Sequence, residues 1–367
     1  MNDQQRPLVL PGQRVPFCYG IGADRRFYSF ELQAGRPAAM ILAHQVARTG
    51  LLPLIQAFAR RSEAFASRQA DILLLATEDV VRGLADDPAA VPAIRIIDCG
   101  SGFLARCGVR PGAALVLVTD RNLRLARCFA PGQMADVAAA CLDCLDELPR
   151  EAPRDISLPA PVLVLPNLIP RDLCRALIET FEAGISIDGG VASIDAAGIP
   201  QGRVDHERKR RRDFLVPPGD PLERGLQNLL LDRCAPEIAK AFQVRIAHTD
   251  RLLIARYDEA ESWFRRHRDN TAENVAFREF AISVNLNAED YEGGYLLFPE
   301  YNDHRYRPPT GGGLIFSSSL LHEALPVTRG CRYVLLTFFH SEAAEARRQA
   351  YMARTKAPSE ADPAVGR

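Results

Sequence analysis

The chain has 367 residues, enough for two domains, and its hydrophobic share of 47% and charged share of 25% are typical of a folded globular protein. The 45 basic and 46 acidic residues leave a net charge of -1, which excludes a global electrostatic attraction to nucleic acid or a membrane surface. The nine cysteines are scattered, and no secretory signal or membrane-spanning apolar run is visible, so we expect reduced thiols and a cytoplasmic location.

The N-terminal half alternates short apolar runs with helical patterns, which is typical of an α/β sandwich. The predicted strands are Ala38–Ala43, Asp71–Leu75, Ala93–Ile97, Ala113–Thr119 and Leu123–Phe129, the last two forming a hairpin around Asp120–Asn122. The predicted helices are Leu51–Phe65, Glu78–Leu84 and Gln133–Leu148.

A proline-rich, charged segment at Leu148–Pro161 can form neither a helix nor a paired strand, and it predicts a linker. We therefore expect a first domain over 1–149, a linker over 150–161, a second domain over 162–345 and a polar C-terminal tail over 346–367. The tail from Lys356 onward is expected to be frayed.

The C-terminal half begins with helical patterns and continues with short strands separated by Gly-rich and Pro-rich turns. The predicted helices are Arg171–Ala183 and Pro221–Phe242, and the predicted strands are Arg251–Tyr257, Glu279–Asn287, Tyr295–Phe298, Gly313–Phe316 and Tyr333–His340. This order favours a β-barrel or sandwich with helices packed outside it.

A His-x-Asp pair, His267 and Asp269, follows the first of these strands. In extended chain, residues i and i+2 project to the same side, so the imidazole and the carboxylate can reach one metal ion. We expect His322, in a loop before the last strand, to be the third ligand. Two histidines and one carboxylate on one face leave coordination positions open, as in non-haem Fe(II) oxygenases.

Arg332 lies at the start of the last strand, ten residues after His322. Burying an arginine inside a barrel is costly without an anion, and a dicarboxylate is a suitable partner because the guanidinium can hold a carboxylate with two hydrogen bonds. Tyr257, at the end of the preceding strand, can donate its hydroxyl to the same carboxylate.

Over residues 162–341 the sequence resembles the prolyl 4-hydroxylase-like branch of the 2-oxoglutarate/Fe(II)-dependent dioxygenases. The match rests on Arg256-Tyr257, His267-Arg268-Asp269-Asn270, Leu286-Asn287 followed by Gly293-Gly294 and Phe298-Pro299, Gly313-Leu314-Ile315-Phe316, and His322 through Arg332. The resemblance implies a double-stranded β-helix (jelly-roll) fold and hydroxylation of an unactivated C–H bond, with release of succinate and CO₂.

The same resemblance implies that His267, Asp269 and His322 bind Fe(II), and that Arg332 and Tyr257 bind 2-oxoglutarate. O₂ is then a co-substrate, and ascorbate dependence belongs to the family. The implied substrate is an amino acid, a peptide or a small natural product; neither nucleic acid nor a membrane is an expected partner.

The N-terminal half resembles a peroxiredoxin or thioredoxin-like domain, through Leu10 to Phe17, Gly35-Arg36-Pro37 and Arg110-Pro111-Gly112. The resemblance implies a cis bond before Pro111 and makes a homodimer plausible. A peroxidatic cysteine would stand three residues after Thr49, but Leu52 occupies that position. Without a thiolate nucleophile the domain is interpreted as a redox-inactive scaffold.

Three further features have competing interpretations. The basic run 206–212 is interpreted first as a solvated loop and second as a lid that attracts an acidic substrate. Cys141 and Cys144 form a C-x-x-C motif, which we interpret as two small residues on a helix face rather than a redox pair. The alternative to an oxygenase is a binding, adaptor or redox protein with a catalytically idle barrel; an intact set of ligands argues against it.

Overall fold

The computed structural model describes residues 9–85, 94–150, 155–194 and 200–356. The chain divides into two compact units, Met1–Pro153 and Arg154–Arg367. This division falls within the predicted linker, of which the described residues 148–150 and 155–161 form neither helix nor strand. No helix in the described part of the chain is long and apolar enough to cross a membrane.

The N-terminal unit is a seven-stranded mixed sheet with helices around it. Its strands are β1 (Tyr19–Gly22), β2 (Phe27–Ser29), β3 (Ala38–His44), β4 (Asp71–Ala76), β5 (Arg95–Asp98), β6 (Ala113–Thr119) and β7 (Leu125–Phe129). Its helices are α1 (Arg48–Ala59), α2 (Ser62–Ser67), α3 (Glu78–Ala85), α4 (Gly100–Arg106) and α5 (Val137–Asp146), with 3-10 turns at Phe30–Gln33 and Pro131–Gln133. The strand order is β2-β1-β5-β4-β3-β6-β7.

The centre of this sheet is parallel and buried on both faces. Strand β3 pairs parallel with β4 and antiparallel with β6, and all seven of its residues are buried. Alternate β3 residues enter two different cores: Ile41 packs with α1 and α5, whereas Met40 packs with α4. A continuous apolar run is the pattern expected of a strand covered by helices on both sides.

Several sequence predictions for this unit need correction. The predicted helix Leu51–Phe65 is two helices, because the backbone of Arg61 leaves the α region (φ -110°, ψ 12°) between them. The last helix begins at Val137 rather than Gln133, and β1, β2 and α4 were not predicted. Ala93, the predicted start of one strand, lies outside the described residues.

The bond before Pro111 is trans, since the described residues contain no cis peptide. Ala113 N–H donates to the Arg110 carbonyl at 3.1 Å, and Gly112 has a φ of 80°. Proline at the second position and a positive-φ glycine at the third are typical of a type II turn, which requires a trans proline.

Helix α5 contains the C-x-x-C motif and has a well-defined start. Cys141 and Cys144 are free and buried in the core, which confirms the interpretation as helix-face residues. The Asp136 carboxylate accepts the Ala139 N–H at 3.0 Å, and it also pairs with Arg61.

Asp136→Ala should therefore destabilise the start of α5 by about 1 kcal/mol, because an unpaired N–H at a helix N-terminus loses its cap. Hydrogen exchange of peptides covering α5 measures the effect. The matched control is Asp143→Ala on the same helix, an exposed position where we expect a change within about 0.5 kcal/mol. Equal protection in the two variants would contradict the capping role.

The C-terminal unit is built from antiparallel sheets and three helices. Its strands are β8 (Val162–Leu165), β9 (Ile187–Asp188), β10 (Val191–Ile194), β11 (Pro200–Arg203), β12 (Lys209–Arg210), β13 (Arg212–Leu215), β14 (His248–Thr249), β15 (Leu253–Tyr257), β16 (Trp263–His267), β17 (Phe280–Asn285), β18 (Glu292–Gly293), β19 (Leu296–Leu297), β20 (Gly313–Ser317), β21 (His322–Ala324), β22 (Val327–Arg329) and β23 (Arg332–His340). Its helices are α6 (Arg171–Ala183), α7 (Pro221–Phe242) and α8 (Glu342–Lys356), with a 3-10 turn at Glu273–Val275.

The larger sheet has eight strands, in the order β8-β20-β17-β23-β15-β13-β9 with β14 also paired to β23. A smaller sheet has the order β12-β16-β21-β19. One face of the larger sheet packs against α6 and α7, and its other face shares a core with residues of the smaller sheet such as Leu296 and Ala324. The two sheets therefore enclose the interior in which the candidate site lies.

Two expectations about this unit are wrong. The predicted tail over 346–367 begins inside α8, a helix that runs through the predicted domain boundary; residues 357–367 lie outside the described part. The basic run is not a solvated loop, because 209–210 and 212–215 are strands. Lys209, Arg211 and Asp213 are buried, whereas Arg210 and Arg212 are exposed, as the two-residue period of a strand dictates.

Candidate metal and co-substrate site

Strand pairing brings the two histidines of the predicted triad together. β16 ends at His267, and β21 begins at His322, and these two residues are register partners in the antiparallel pair. His322 is therefore a strand residue rather than the loop residue expected from sequence. Asp269 follows His267 in a turn, where its backbone N–H donates to the Ser318 carbonyl at 2.9 Å.

The three side chains form a compact cluster. Asp269 Oδ1 lies 3.5 Å from His267 Nε2, and Asp269 Oδ2 lies 3.5 Å from His322 Nε2. One ligand atom from each residue lies within 4.8 Å of the others, and no second group of this kind occurs in the described residues. Both histidines direct Nδ1 at a backbone carbonyl, Arg265 at 2.7 Å and Leu320 at 2.9 Å. Nδ1–H is therefore the fitting tautomer, and Nε2 is left with a lone pair for a metal.

The surroundings favour the ligand forms of these groups. Burial lowers the pKa of His322 to about 4, which keeps the imidazole neutral at physiological pH. Burial also acts to raise the pKa of Asp269, but the two neighbouring histidines outweigh it and hold that pKa at about 2. Phe264 stacks on His267 with ring centroids 3.4 Å apart, and Phe316 lies 4.6 Å from the His322 ring. The cluster thus offers one carboxylate and two imidazole nitrogens in an apolar shell.

Arg332 begins β23 and is 3% exposed, with no carboxylate partner among the described residues. Its guanidinium donates long hydrogen bonds, both at 3.4 Å, to Asn285 Oδ1 and Ser283 Oγ on the neighbouring strand β17. It also lies over the Tyr257 ring, 5.2 Å from the centroid. A buried cation with only neutral, distant partners leaves an opening for an anion.

Tyr257 is held by residues that the sequence analysis did not assign to the site. Arg211 Nη1 donates to the Tyr257 hydroxyl at 2.7 Å, and Arg211 Nε donates to Asp213 Oδ1 at 2.7 Å. Because the tyrosine oxygen accepts from Arg211, its own proton is free for another acceptor. In the sequence, Arg211 and Asp213 are two residues apart, as the buried residues of a strand are. The surrounding run of basic residues hides this alternation of buried and exposed positions.

A cavity of about 500 Å³ is lined by the three side chains of the triad and by Arg332 and Tyr257. This volume is within the usual range of small-molecule sites. The cavity is also lined by Lys209, Arg251 and Arg278, which the sequence analysis missed.

Residues 252–340 match the sequence model of the 2OG-Fe(II) oxygenase superfamily. The matched segment contains the whole triad together with Tyr257 and Arg332. The C-terminal unit therefore carries a 2OG-Fe(II) oxygenase domain, a class that uses Fe(II), 2-oxoglutarate and O₂. The protein is an enzyme, a 2-oxoglutarate-dependent dioxygenase.

Particular relatives agree with this class. A PKHD-type hydroxylase of Paracoccus denitrificans (strain Pd 1222) is 25% identical over 189 residues, covering 49% of this chain and 78% of the relative. Another PKHD-type hydroxylase, of Acinetobacter baylyi, is 27% identical over 173 residues, covering 45% of this chain and 73% of the relative.

Solved structures give more distant likenesses. A prolyl-4-hydroxylase of Pseudomonas putida is 21% identical with a TM-score of 0.36, covering 49% of this chain and 92% of that chain. A structure described as a thiol:disulfide interchange protein DsbE, from Chlorobium tepidum, is 14% identical with a TM-score of 0.32, covering 37% of this chain and 99% of that chain. Scores this low say nothing about activity.

Proposed function

We propose that this protein hydroxylates an unactivated C–H bond of an amino-acid, peptidyl or small natural-product substrate, releasing succinate and CO₂. Fe(II) would be held by His267, Asp269 and His322, and 2-oxoglutarate by Arg332 and Tyr257. The observation that carries the proposal is the cluster of the three ligand side chains inside the cavity.

The donor set fits Fe(II). Two imidazole nitrogens and one carboxylate oxygen are the ligands of non-haem iron oxygenases, and three such ligands leave the positions that co-substrate and O₂ need. When bound, the iron supplies oxygen activation coupled to oxidative decarboxylation of 2-oxoglutarate. Because the carboxylate ligand Asp269 is present, no ligand position is vacated for a halide, which favours hydroxylation over halogenation.

The residues around Arg332 fit the far carboxylate of 2-oxoglutarate. The guanidinium of Arg332 would donate to this carboxylate, and Tyr257 would donate the hydroxyl proton that its contact with Arg211 leaves free. Asp213 would orient Arg211 for that contact. Phe264 and Phe316 would keep water away from the histidines, which strengthens the charge interactions inside the site.

Anaerobic titration of the purified protein with Fe(II) and then 2-oxoglutarate tests the proposal. Chelation of the iron by the co-substrate should give a visible metal-to-ligand charge-transfer band. A folded protein that gives no band would contradict the proposed function.

Arg332→Met should weaken 2-oxoglutarate binding at least about thirtyfold while iron binding stays unchanged. The reason is that removing one partner of a buried charge pair costs about 2–5 kcal/mol. The dependence of the charge-transfer band on co-substrate concentration gives the affinity. Arg329→Met is the matched control, since Arg329 lies three residues earlier in an exposed pair with Glu292. An unchanged affinity in Arg332→Met would remove Arg332 from the co-substrate site.

For the N-terminal unit we propose a thioredoxin-like scaffold without redox activity. Leu52 lies in the first turns of α1, where the catalytic thiol of such domains would stand. Burial raises the pKa of Cys18 and Cys107 to about 12 and of Cys128 to about 11, so these thiols stay protonated and are poor nucleophiles.

The alternative, a binding or adaptor protein with an idle barrel, has no observation in its favour. A barrel that had lost its catalytic role would be expected to lack a ligand or the co-substrate arginine. Here His267, Asp269 and His322 lie close together, and Arg332 lines the same cavity.

A further inference from the structure

One wall of the cavity is cationic, and its residues are distant from Arg332 in the sequence. Four positively charged side chains line it: Lys209, Arg211, Arg251 and Arg278. We call this set the cationic wall. Lys209 lies in β12, Arg211 lies between β12 and β13, and Arg251 and Arg278 lie just before β15 and β17, so the set is assembled only by the fold.

Two carboxylates form ion pairs with three of these four cations. Asp213 is shared, with Lys209 Nζ at 3.0 Å and Arg211 Nε at 2.7 Å. Asp250 pairs with Arg278, whose Nη2 lies 2.6 Å from Asp250 Oδ2. The wall therefore carries more positive than negative charge, even with the pKa of Lys209 lowered to about 7 by burial.

Arg251 accounts for much of this excess. Its guanidinium lines the cavity and forms no ion pair or hydrogen bond with the described residues. Arg251 is an exposed residue, and it lines the same cavity as the cations Arg211 and Arg278. Such a cation is stabilised by an anion brought from outside.

Iron and 2-oxoglutarate do not supply that anion. The two charges of a bound Fe(II) would be matched by Asp269 and by one carboxylate of 2-oxoglutarate. The second carboxylate of the co-substrate would be matched by Arg332. The cationic wall keeps its excess of positive charge after the proposed co-substrate is in place.

We propose that the cationic wall, with Arg251 at its centre, binds an oxyanion group of the substrate, a carboxylate or a phosphate. The substrate is then an acidic molecule held by this group, with its C–H bond toward the triad. This inference rests on the proposed function, because it takes the triad as the place of reaction.

The test measures binding to full-length protein loaded with Zn(II) in place of iron and saturated with 2-oxoglutarate, so that Arg332 is already engaged. Three probes are compared: N-acetylglycine, its neutral isostere N-acetylglycinamide, and inorganic phosphate. Saturation-transfer NMR reports the acetyl probes, and ³¹P line broadening reports phosphate. Arg251→Gln is the variant, and Arg245→Gln, an exposed arginine outside the cavity, is the matched control.

We expect at least one anionic probe to bind and the neutral isostere not to bind. The affinity should fall about tenfold in Arg251→Gln and stay unchanged in Arg245→Gln, as for the loss of a hydrogen bond to a charged group. A preference for N-acetylglycine or for phosphate identifies the oxyanion.

The proposal is overturned if no anionic probe binds, if the isostere binds equally well, or if Arg251→Gln binds the anion as the wild type does. The 2-oxoglutarate affinity is measured first in each variant. A loss of 2-oxoglutarate binding in Arg251→Gln would assign Arg251 to the co-substrate and also overturn the proposal. Absence of 2-oxoglutarate binding in the wild type would instead count against the proposed function.

Discussion

His322→Ala should abolish the charge-transfer band and 2-oxoglutarate turnover, because it removes one of the two imidazoles proposed to bind iron. Even residues that merely orient a metal ligand change affinity about 10–100-fold, so loss of a ligand should weaken iron binding by at least about 100-fold. The fold should persist, since β21 is a three-residue strand whose pairing with β16 and β19 is made by the backbone. Anaerobic iron titration and succinate release measure the two effects.

His304→Ala is the control for that variant. His304 is exposed and makes no side-chain contact with the cluster, so its replacement should leave the band and turnover unchanged. Retention of wild-type iron affinity in a folded His322→Ala protein would show that the triad is not the metal site.

Asp213→Asn should destabilise the C-terminal unit by about 3–5 kcal/mol. The substitution leaves Lys209 and Arg211 without a carboxylate, and the side chains of these two cations are only 2% and 6% exposed. Breaking a buried pair is costly because the remaining charge stays in a poorly solvated place. Urea unfolding followed by the fluorescence of Trp263, the single tryptophan, reports on this unit.

Asp258→Asn provides a matched control within the same unit. Asp258 also pairs with an arginine two residues away, Arg256 at 2.7 Å, but both side chains are about one-third exposed (30% and 33%). A pair that remains in contact with water contributes about 0–1 kcal/mol. Equal destabilisation by the two substitutions would mean that Asp213 does not compensate buried charge.

The elements that the sequence predicted best are those whose pattern is local. Helices Arg171–Ala183 and Pro221–Phe242 were predicted with their observed bounds, since proline and a capping aspartate mark the start of the second. The apolar strand predicted over Ala38–Ala43 was also found, and it extends one residue further to His44. In contrast, short strands such as β12 and β21 have no pattern of their own and form only because a partner strand supplies hydrogen bonds.

The sequence by itself determined the class of chemistry: it placed His267, Asp269 and His322 in one site and singled out Arg332, because ligand types at fixed spacings are read along the chain. Only the tertiary structure decided what surrounds that chemistry. Arg211 reaches Tyr257 across 46 positions, and Arg251 and Arg278 enter the same cavity as Lys209. Sequence shows a charged residue but not whether a distant carboxylate neutralises it or whether it lines a cavity, and these two facts decide whether the charge can bind a ligand.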